Sequence, residues 1–203
     1  MKIFCVGRNY VAHVRELKNA VPERPLIFMK PKNALLKPID HCYYPSFTEN
    51  LQYECELVIR MNKNGKGIRE KFAHRYYDQL SLGIDFTARD LQTKLKKAGH
   101  PWEIAKAFDQ SAVLGQLLAV DQFDSLANLS FCLQKNGEKV QEGLTANMIF
   151  SVDEIIAYIS QFFTLNIGDL IYTGTPAGVG SVQIGDKLEG YLEGKRLFDV
   201  EIH

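Results

Sequence analysis

Short apolar runs punctuated by Gly, Pro and Asn dominate the chain: KIFCV, PLIFMK, YECELVIRM, LSLGIDFTA, LANLSFCLQKNGEKVQEG, DLIYTGT and DKLEGYLEGKRLFDVEI. Runs of this length, bounded by turn formers, predict strands. Two of them predict hairpins, LSFCLQKNGEKVQEG turning at Asn136-Gly137 and YLEGKRLFDVEI turning at Glu193-Gly194-Lys195. Helical pattern is confined to Asn9 to Lys18, Thr87 to Ala98, and SVDEIIAYISQFF, where Ser151 and Glu154 form a capping box. Strands outnumber helices, strand–helix alternation is absent, and no G-x-G-x-x-G follows a strand. The pattern predicts an α+β, β-rich fold: a mostly antiparallel sheet, rolled or sandwiched, with a few short helices. No repeat or linker divides the chain, so one domain over 1–203 is expected.

Composition narrows the class of partner. The 203 residues are 46% hydrophobic and 24% charged, and a chain of this length buries roughly 70% of its unfolded surface. It needs no disulfide or metal to hold together, so any metal would serve chemistry. Lys plus Arg (24) balances Asp plus Glu (24), which argues against a protein that coats nucleic acid or an anionic membrane. A small molecule or another protein is the expected partner. MKIFCVGRNY has too short an apolar run for a signal segment and no stretch reaches membrane-spanning length, so the expected location is cytoplasmic. Cys5, Cys42, Cys55 and Cys132 are widely spaced with no C-x-x-C, which points to buried free thiols rather than disulfides or zinc.

Candidate chemistry begins at YECELVIRM. Strand periodicity puts Glu54 and Glu56 on one face, with Cβ atoms on the order of 7 Å apart. Turned inward, two like charges require protonation, basic side chains or a cation, and oxygen-only ligation suits magnesium, calcium or manganese. The spacing leaves open the alternative of an edge strand with both acids on its solvent face. Asp85 ends an apolar run before a helical stretch and is either a third ligand or an N-cap. Asp90 reads as a first-turn acid. With Asn9 as a helix cap, His13 and Glu16 are three residues apart. Glu16 would then orient the imidazole and raise its proton affinity, or the two form a surface pair only. His41, His74 and His100 have no comparable partner in the sequence.

Six segments, in order, resemble the fumarylacetoacetate hydrolase (FAH) family, in particular its compact acylpyruvate hydrolase type. They are CVGRNYVAHVREL (5–17), LIFMKP (26–31), YECEL (53–57), GIDFTARDLQ (83–92), PWEIAKAFD (101–109) and IYTGTPAGVG (171–180). The resemblance implies the rolled mixed sheet of the FAH fold, with Glu54, Glu56 and Asp85 holding Mg2+ or Mn2+, or Ca2+ in crystals. It further implies that His13 and Glu16 form a water-activating dyad on a lid-like helix. Lys106, Arg89 and Gln92 would contact the substrate carboxylate and oxygens, Thr175 would line the pocket, and Lys30 would lie near it. Lys32-Asn33 and Ala107 depart from the family's usual Ser or Thr, which bears on substrate detail. No SH3-like amino-terminal module is expected, and a homodimer is implied.

The function so implied is divalent-metal-dependent hydrolysis of a carbon–carbon bond in an acylpyruvate, such as fumarylpyruvate or acetylpyruvate. Alternatives on the same site are isomerisation of 2-hydroxyhepta-2,4-diene-1,7-dioate and decarboxylation of oxaloacetate. A non-catalytic protein that binds metal and 2-oxo acid is the alternative from another class. The dyad favours hydrolysis, because the other reactions need no activated water.

Overall fold

A computed structural model describes residues 1–16, 20–37 and 41–203. Its strands are β1 (Ile3–Val6), β2 (Ile27–Lys30), β3 (Leu51–Tyr53), β4 (Cys55–Met61), β5 (Tyr77–Asp85), β6 (Thr87–Ala88), β7 (Ala112–Leu114), β8 (Leu118–Ala119), β9 (Ser130–Lys135), β10 (Glu138–Leu144), β11 (Leu170–Tyr172), β12 (Gly180–Ser181), β13 (Lys187–Leu192) and β14 (Lys195–Glu201). The helices are α1 (Val11–Glu16), α2 (Arg89–Ala98), α3 (Glu103–Lys106) and α4 (Val152–Phe162).

The largest sheet runs β2-β1-β11-β4-β5-β7, with β8 also on β5. Its β1–β11 pair is parallel and the rest are antiparallel. A second sheet, β10-β9-β13-β14, and a short third one, β12-β3-β6, are antiparallel throughout. This is the mixed, mostly antiparallel, β-rich architecture the apolar pattern predicts.

β4 and β5 are central because both of their faces are covered. Leu57, Ile59, Leu80, Leu82 and Ile84 pack with Phe131, Leu133 and Leu188 of the second sheet and with Ile155, Ile156 and Ile159 of α4. On the other side, Val58 packs with Ile3, Cys5, Leu170 and Tyr172. Burial on two faces explains why β4 and β5 read as near-continuous apolar runs.

Both hairpins form where their turn residues sit. Asn136 (φ 54°) and Gly137 (φ 82°) are left-handed, as are Glu193 (φ 47°) and Gly194 (φ 75°). The second turn is a residue shorter than expected, because Lys195 already pairs with Leu192. The capping box is made: Glu154 N–H donates to Ser151 Oγ (3.2 Å) and Ser151 N–H to Glu154 Oε2 (2.7 Å).

Three local expectations are corrected. YECELVIRM is not one strand, since Glu54 belongs to neither β3 nor β4. There the Cys55 N–H donates to Gln141 Oε1 (2.9 Å) instead of to a strand neighbour. The second helix starts at Arg89, because Thr87 and Ala88 pair with β3 as β6. Asn9 does not cap α1: its amide donates to Thr173 O (2.8 Å) and Phe150 O (3.0 Å) and accepts from Phe150 N–H (2.7 Å). It therefore ties the start of α1 to the residue just after β11 and to the segment before α4. The proposed end of that first helix, residues 17–18, lies outside the described residues. All four cysteines are free, three buried and Cys132 half-buried. Among the described residues no helix is long and apolar enough to cross a membrane.

Candidate metal centre and active site

The interruption of the strand at Glu54 is what builds the site. Asp85, the last residue of β5, donates its N–H to Glu54 O (2.8 Å), which pins the β3–β4 junction against the end of β5. One carboxylate oxygen from each of Glu54, Glu56 and Asp85 then lies within 4.8 Å of the others. The three side chains are 5%, 1% and 1% exposed, which removes the solvent-face alternative. Asp85 is also not a helix cap, since α2 begins four residues later behind Ala88. Asp90 does sit in the first turn of α2; its carboxylate accepts from the Thr48 hydroxyl and from Glu49 N–H (3.3 Å).

Cations surround this triad. The Lys106 ammonium, delivered by the last turn of α3, donates to Glu54 Oε2 (2.9 Å) and Asp85 Oδ2 (2.8 Å). Burial disfavours its charge, but Asp85 and Glu54 more than offset this and hold its pKa above the usual lysine value. Arg89 pairs with Glu54 and places its other nitrogens on Gln92 Oε1 (2.6 Å) and Gln52 Oε1 (2.7 Å). Burial works against ionisation of Glu54, yet Lys106, Arg89 and His13 hold its pKa well below the ordinary carboxylate range. Glu56 is the opposite case. Burial, then Asp85, then Glu54 push its pKa far up, and its clearest compensation is the Gly174 N–H, 2.7 Å from Oε2.

The residues fit a hard divalent cation. The donor set is oxygen only, and among the described residues no cation is paired with Glu56. Asp85 Oδ1 is buried 2.8 Å from Lys30 Nζ but receives no aligned hydrogen bond. That ammonium instead faces Ser111 O and Oγ (3.0 Å each), Phe86 O (3.4 Å) and the Lys106 carbonyl. A buried oxygen without an aligned hydrogen bond, in a cluster of three inward-facing carboxylates, is the arrangement a bound cation would satisfy.

His13 lies on α1, buried, with Nδ1 3.3 Å from Glu16 Oε2. Glu16 is itself held by the Gly178 N–H, 3.1 Å from Oε1. The geometry expected of the pair is present, but its electrostatic consequence is reversed. Burial lowers the pKa of His13 more than Glu54 and Glu16 raise it, so the imidazole is neutral near pH 7. With Nδ1–H donating to Glu16, Nε2 carries the free lone pair.

Two expected pocket residues are occupied by the protein. Lys30 is fully buried and spends its ammonium on the acceptors named above, bracing α3 against Asp85. The Thr175 hydroxyl donates to Cys55 O (2.9 Å) and accepts from Gln141 Nε2 (2.8 Å). Gln141 and Gln52 escaped the sequence reading because nothing local marks them. Gly174 sits in a recognised segment: its φ of +100° aims the N–H at Glu56, and a Cβ there would stand 2.6 Å from the Asn9 Cβ. His41 does find a partner, His203, with ring nitrogens 3.2 Å apart. A cleft of about 210 Å³ between Phe28 and Trp102 has Lys106 in its wall. A larger hollow of about 920 Å³ is lined by Met1, Met29, Phe47, Ile104 and Phe108 and by none of the three carboxylates.

The mixed curled sheet thus gathers three buried carboxylates, a lysine and an arginine paired with them, and a histidine held by a glutamate. The family model described as fumarylacetoacetate (FAA) hydrolase C-terminal matches residues 2–201, and the chain belongs to that family. It is 41% identical over 192 residues to the mitochondrial oxaloacetate tautomerase FAHD1 of Homo sapiens, covering 95% of this chain and 87% of that one. It is 40% identical over 197 residues to the oxaloacetate tautomerase YcgM of Escherichia coli, covering 97% and 90%. Among solved structures, fumarylpyruvate hydrolase from Pseudomonas aeruginosa, in complex with Mn2+ and pyruvate, superposes with a TM-score of 0.92 at 40% identity, covering 100% of this chain and 89% of that one. The chain is thus an enzyme of this family, whose named members include tautomerases and hydrolases.

Proposed function

We propose that the chain is a divalent-cation-dependent enzyme that moves a proton at the carbon beside the carbonyl of a 2-oxo dicarboxylic acid, and that its reaction is keto–enol tautomerisation of oxaloacetate. The observation that carries this reading is the buried, neutral His13 held through Nδ1 by Glu16. A base whose pKa lies near or below neutrality is available to take a proton at physiological pH. A cation bound by Glu54, Glu56 and Asp85, Mg2+ or Mn2+, would supply Lewis-acid polarisation of the substrate's 2-oxo group and so acidify the neighbouring C–H.

The remaining steps belong to the chain. Lys106 and Arg89 offset the substrate's carboxylate charge, and Gln92 and Gln52 fix the guanidinium plane. Nε2 of His13 takes the proton from the carbon and delivers a proton to the carbonyl oxygen, or runs the exchange in reverse. No water is consumed, so the dyad suits tautomerisation as well as hydrolysis and does not by itself favour the latter. The shared names of the two oxaloacetate tautomerases support this reading. With added Mg2+, purified protein should accelerate decay of the oxaloacetate enol absorbance, and chelator should abolish the acceleration.

A second reading, hydrolysis of an acylpyruvate, is supported by likeness to the fumarylpyruvate hydrolase. There Nε2 of His13 would take its proton from water, and pyruvate release from fumarylpyruvate or acetylpyruvate separates it from the first. Carbon dioxide release from oxaloacetate would mark decarboxylation, and failure to turn over any of these acids would favour a binding protein. The proposal places one catalytic domain in the cytoplasm with a small-molecule substrate. It also gives the chain a second copy as partner, covering the apolar hollow at Phe47 and Ile104, which are 49% and 63% exposed. Light scattering at the mass of two chains, reduced to one by Phe47→Glu, is the expected result.

A further inference from the structure

Arg89, Gln92 and Lys96 stand at i, i+3 and i+7 on α2, one stripe of the helix. The first two engage one another at the carboxylate triad. Lys96 continues the stripe roughly 10 Å further along the axis from Arg89. It is half-buried, and it makes no ion pair with a carboxylate among the described residues, unlike Lys106 and Arg89. Its ammonium lies 5.4 Å from the centre of the Trp102 ring. Trp102 and Phe28, with ring centres 6.2 Å apart, wall the 210 Å³ cleft that Lys106 also lines. The Lys106 ammonium is 5.2 Å from the Phe28 ring and bonds the site carboxylates.

The cleft is therefore walled both by Lys106, which bonds the site carboxylates, and by Trp102, against which the Lys96 ammonium is seated. Arg8, Arg89 and Lys106 are near enough to Lys96 to add to burial in lowering its pKa, and Glu54 is near enough to oppose them. Three further cations against one site carboxylate make the neighbourhood electropositive. Glu103, exposed, is the carboxylate among the cleft's lining residues.

We propose that Lys96 is a specificity-determining residue that receives the second carboxylate of a 2-oxo dicarboxylic acid whose 2-oxo acid end lies at Glu54, Glu56 and Asp85. The inference rests on the 2-oxo acid reading above and adds to it a preference for dianionic over monoanionic substrates. A cation held against an aromatic face and short of a carboxylate partner gains more from a ligand anion than one already paired.

Lys96→Met and Lys96→Arg, both on a half-buried helix position, test it in the Mg2+-loaded protein. With oxaloacetate and fumarylpyruvate, Lys96→Met should raise KM about tenfold or more while leaving kcat nearly unchanged, as expected for loss of a charge-assisted hydrogen bond. With acetylpyruvate, which has one carboxylate, KM should not move, and Lys96→Arg should recover most of the dicarboxylate affinity. Trp102 is the chain's one tryptophan, so its fluorescence gives a readout free of turnover. Titration with 2-oxoglutarate should be weakened in Lys96→Met, and titration with pyruvate should not. Equal effects on one- and two-carboxylate ligands, or none on either, overturn the role of Lys96 alone. A wild-type protein that neither turns over nor binds any of these acids overturns the 2-oxo acid reading, and the inference falls with it.

Discussion

Glu56→Gln separates the demands of the carboxylate triad from those of the surrounding sheet. Glu56 is 1% exposed, its Oε2 accepts from Gly174 N–H at 2.7 Å, and burial with Asp85 and Glu54 disfavours its charge. Glutamine keeps the shape and the acceptor and removes the charge. Without a divalent cation the variant should therefore melt no lower than wild type, because a buried carboxylate facing two others costs stability that a neutral amide does not. With a cation the order reverses. A ligand at about 100 times its Kd stabilises the native state by about 2.7 kcal/mol. For a chain of this size, at about 2–4 °C per kcal/mol, that corresponds to a Tm rise of about 5–11 °C. Thermal unfolding followed by circular dichroism, in chelator and then in saturating Mn2+, should give that rise for wild type and less than about a third of it for Glu56→Gln, on the same linkage. A wild-type Tm indifferent to Mn2+, or an equal rise in the variant, would refute the assignment of the triad to a cation.

Other outcomes follow from the same geometry. Because burial holds the His13 pKa below its ordinary value of about 6.5, kcat/KM should be level at neutral pH and fall on the acid side with a midpoint below that value. The unfolded chain takes up this proton at higher pH than the folded one, so the His13 contribution to stability, present above about 6.5, is lost as pH falls from there through the lower folded-state pKa, a sign opposite to that of an ion-paired histidine. An acid limb centred above pH 7 would count against the neutral imidazole. Gly174→Ala forces a Cβ into a left-handed position against Asn9 and should cost about 1–3 kcal/mol in urea unfolding; an unchanged midpoint would show that the strand end relaxes freely. Burial pushes the Cys42 thiol up to about 12 and raises Cys5 and Cys55 as well. A thiol reagent should thus modify Cys132 first in the native protein and all four cysteines only after denaturation.

What the sequence made legible was whatever local chemistry decides. Asn136-Gly137 and Glu193-Gly194 make hairpins because those residues accept left-handed backbone, and Ser151 with Glu154 caps α4 from three residues away. The interruption of the strand at Glu54 was invisible, because the group that captures the Cys55 N–H is Gln141, 86 residues on. Asn9 looked like a cap for a similar reason: its true partners, Phe150 and Thr173, are 141 and 164 residues away. The ionisation of His13 followed the same rule. Its glutamate was readable at i+3, but the burial that outweighs it depends on the fold. The resemblance picked out Lys106, Arg89 and the three acids, which the structure brings together. Lys30 and Thr175 came from the same segments, yet their polar atoms are taken up by Ser111, Cys55 and Gln141.

The central claim is that Nε2 of a neutral His13 moves a proton at the carbon beside a 2-oxo group. It is tested most directly by exchange at C3 of oxaloacetate in deuterated water, followed by proton NMR for the Mg2+-loaded wild type and for His13→Gln. The account predicts rapid exchange without loss of carbon for wild type, slowed at least about a hundredfold in the variant, the usual contribution of a general base. Exchange that proceeds undiminished in His13→Gln would contradict it.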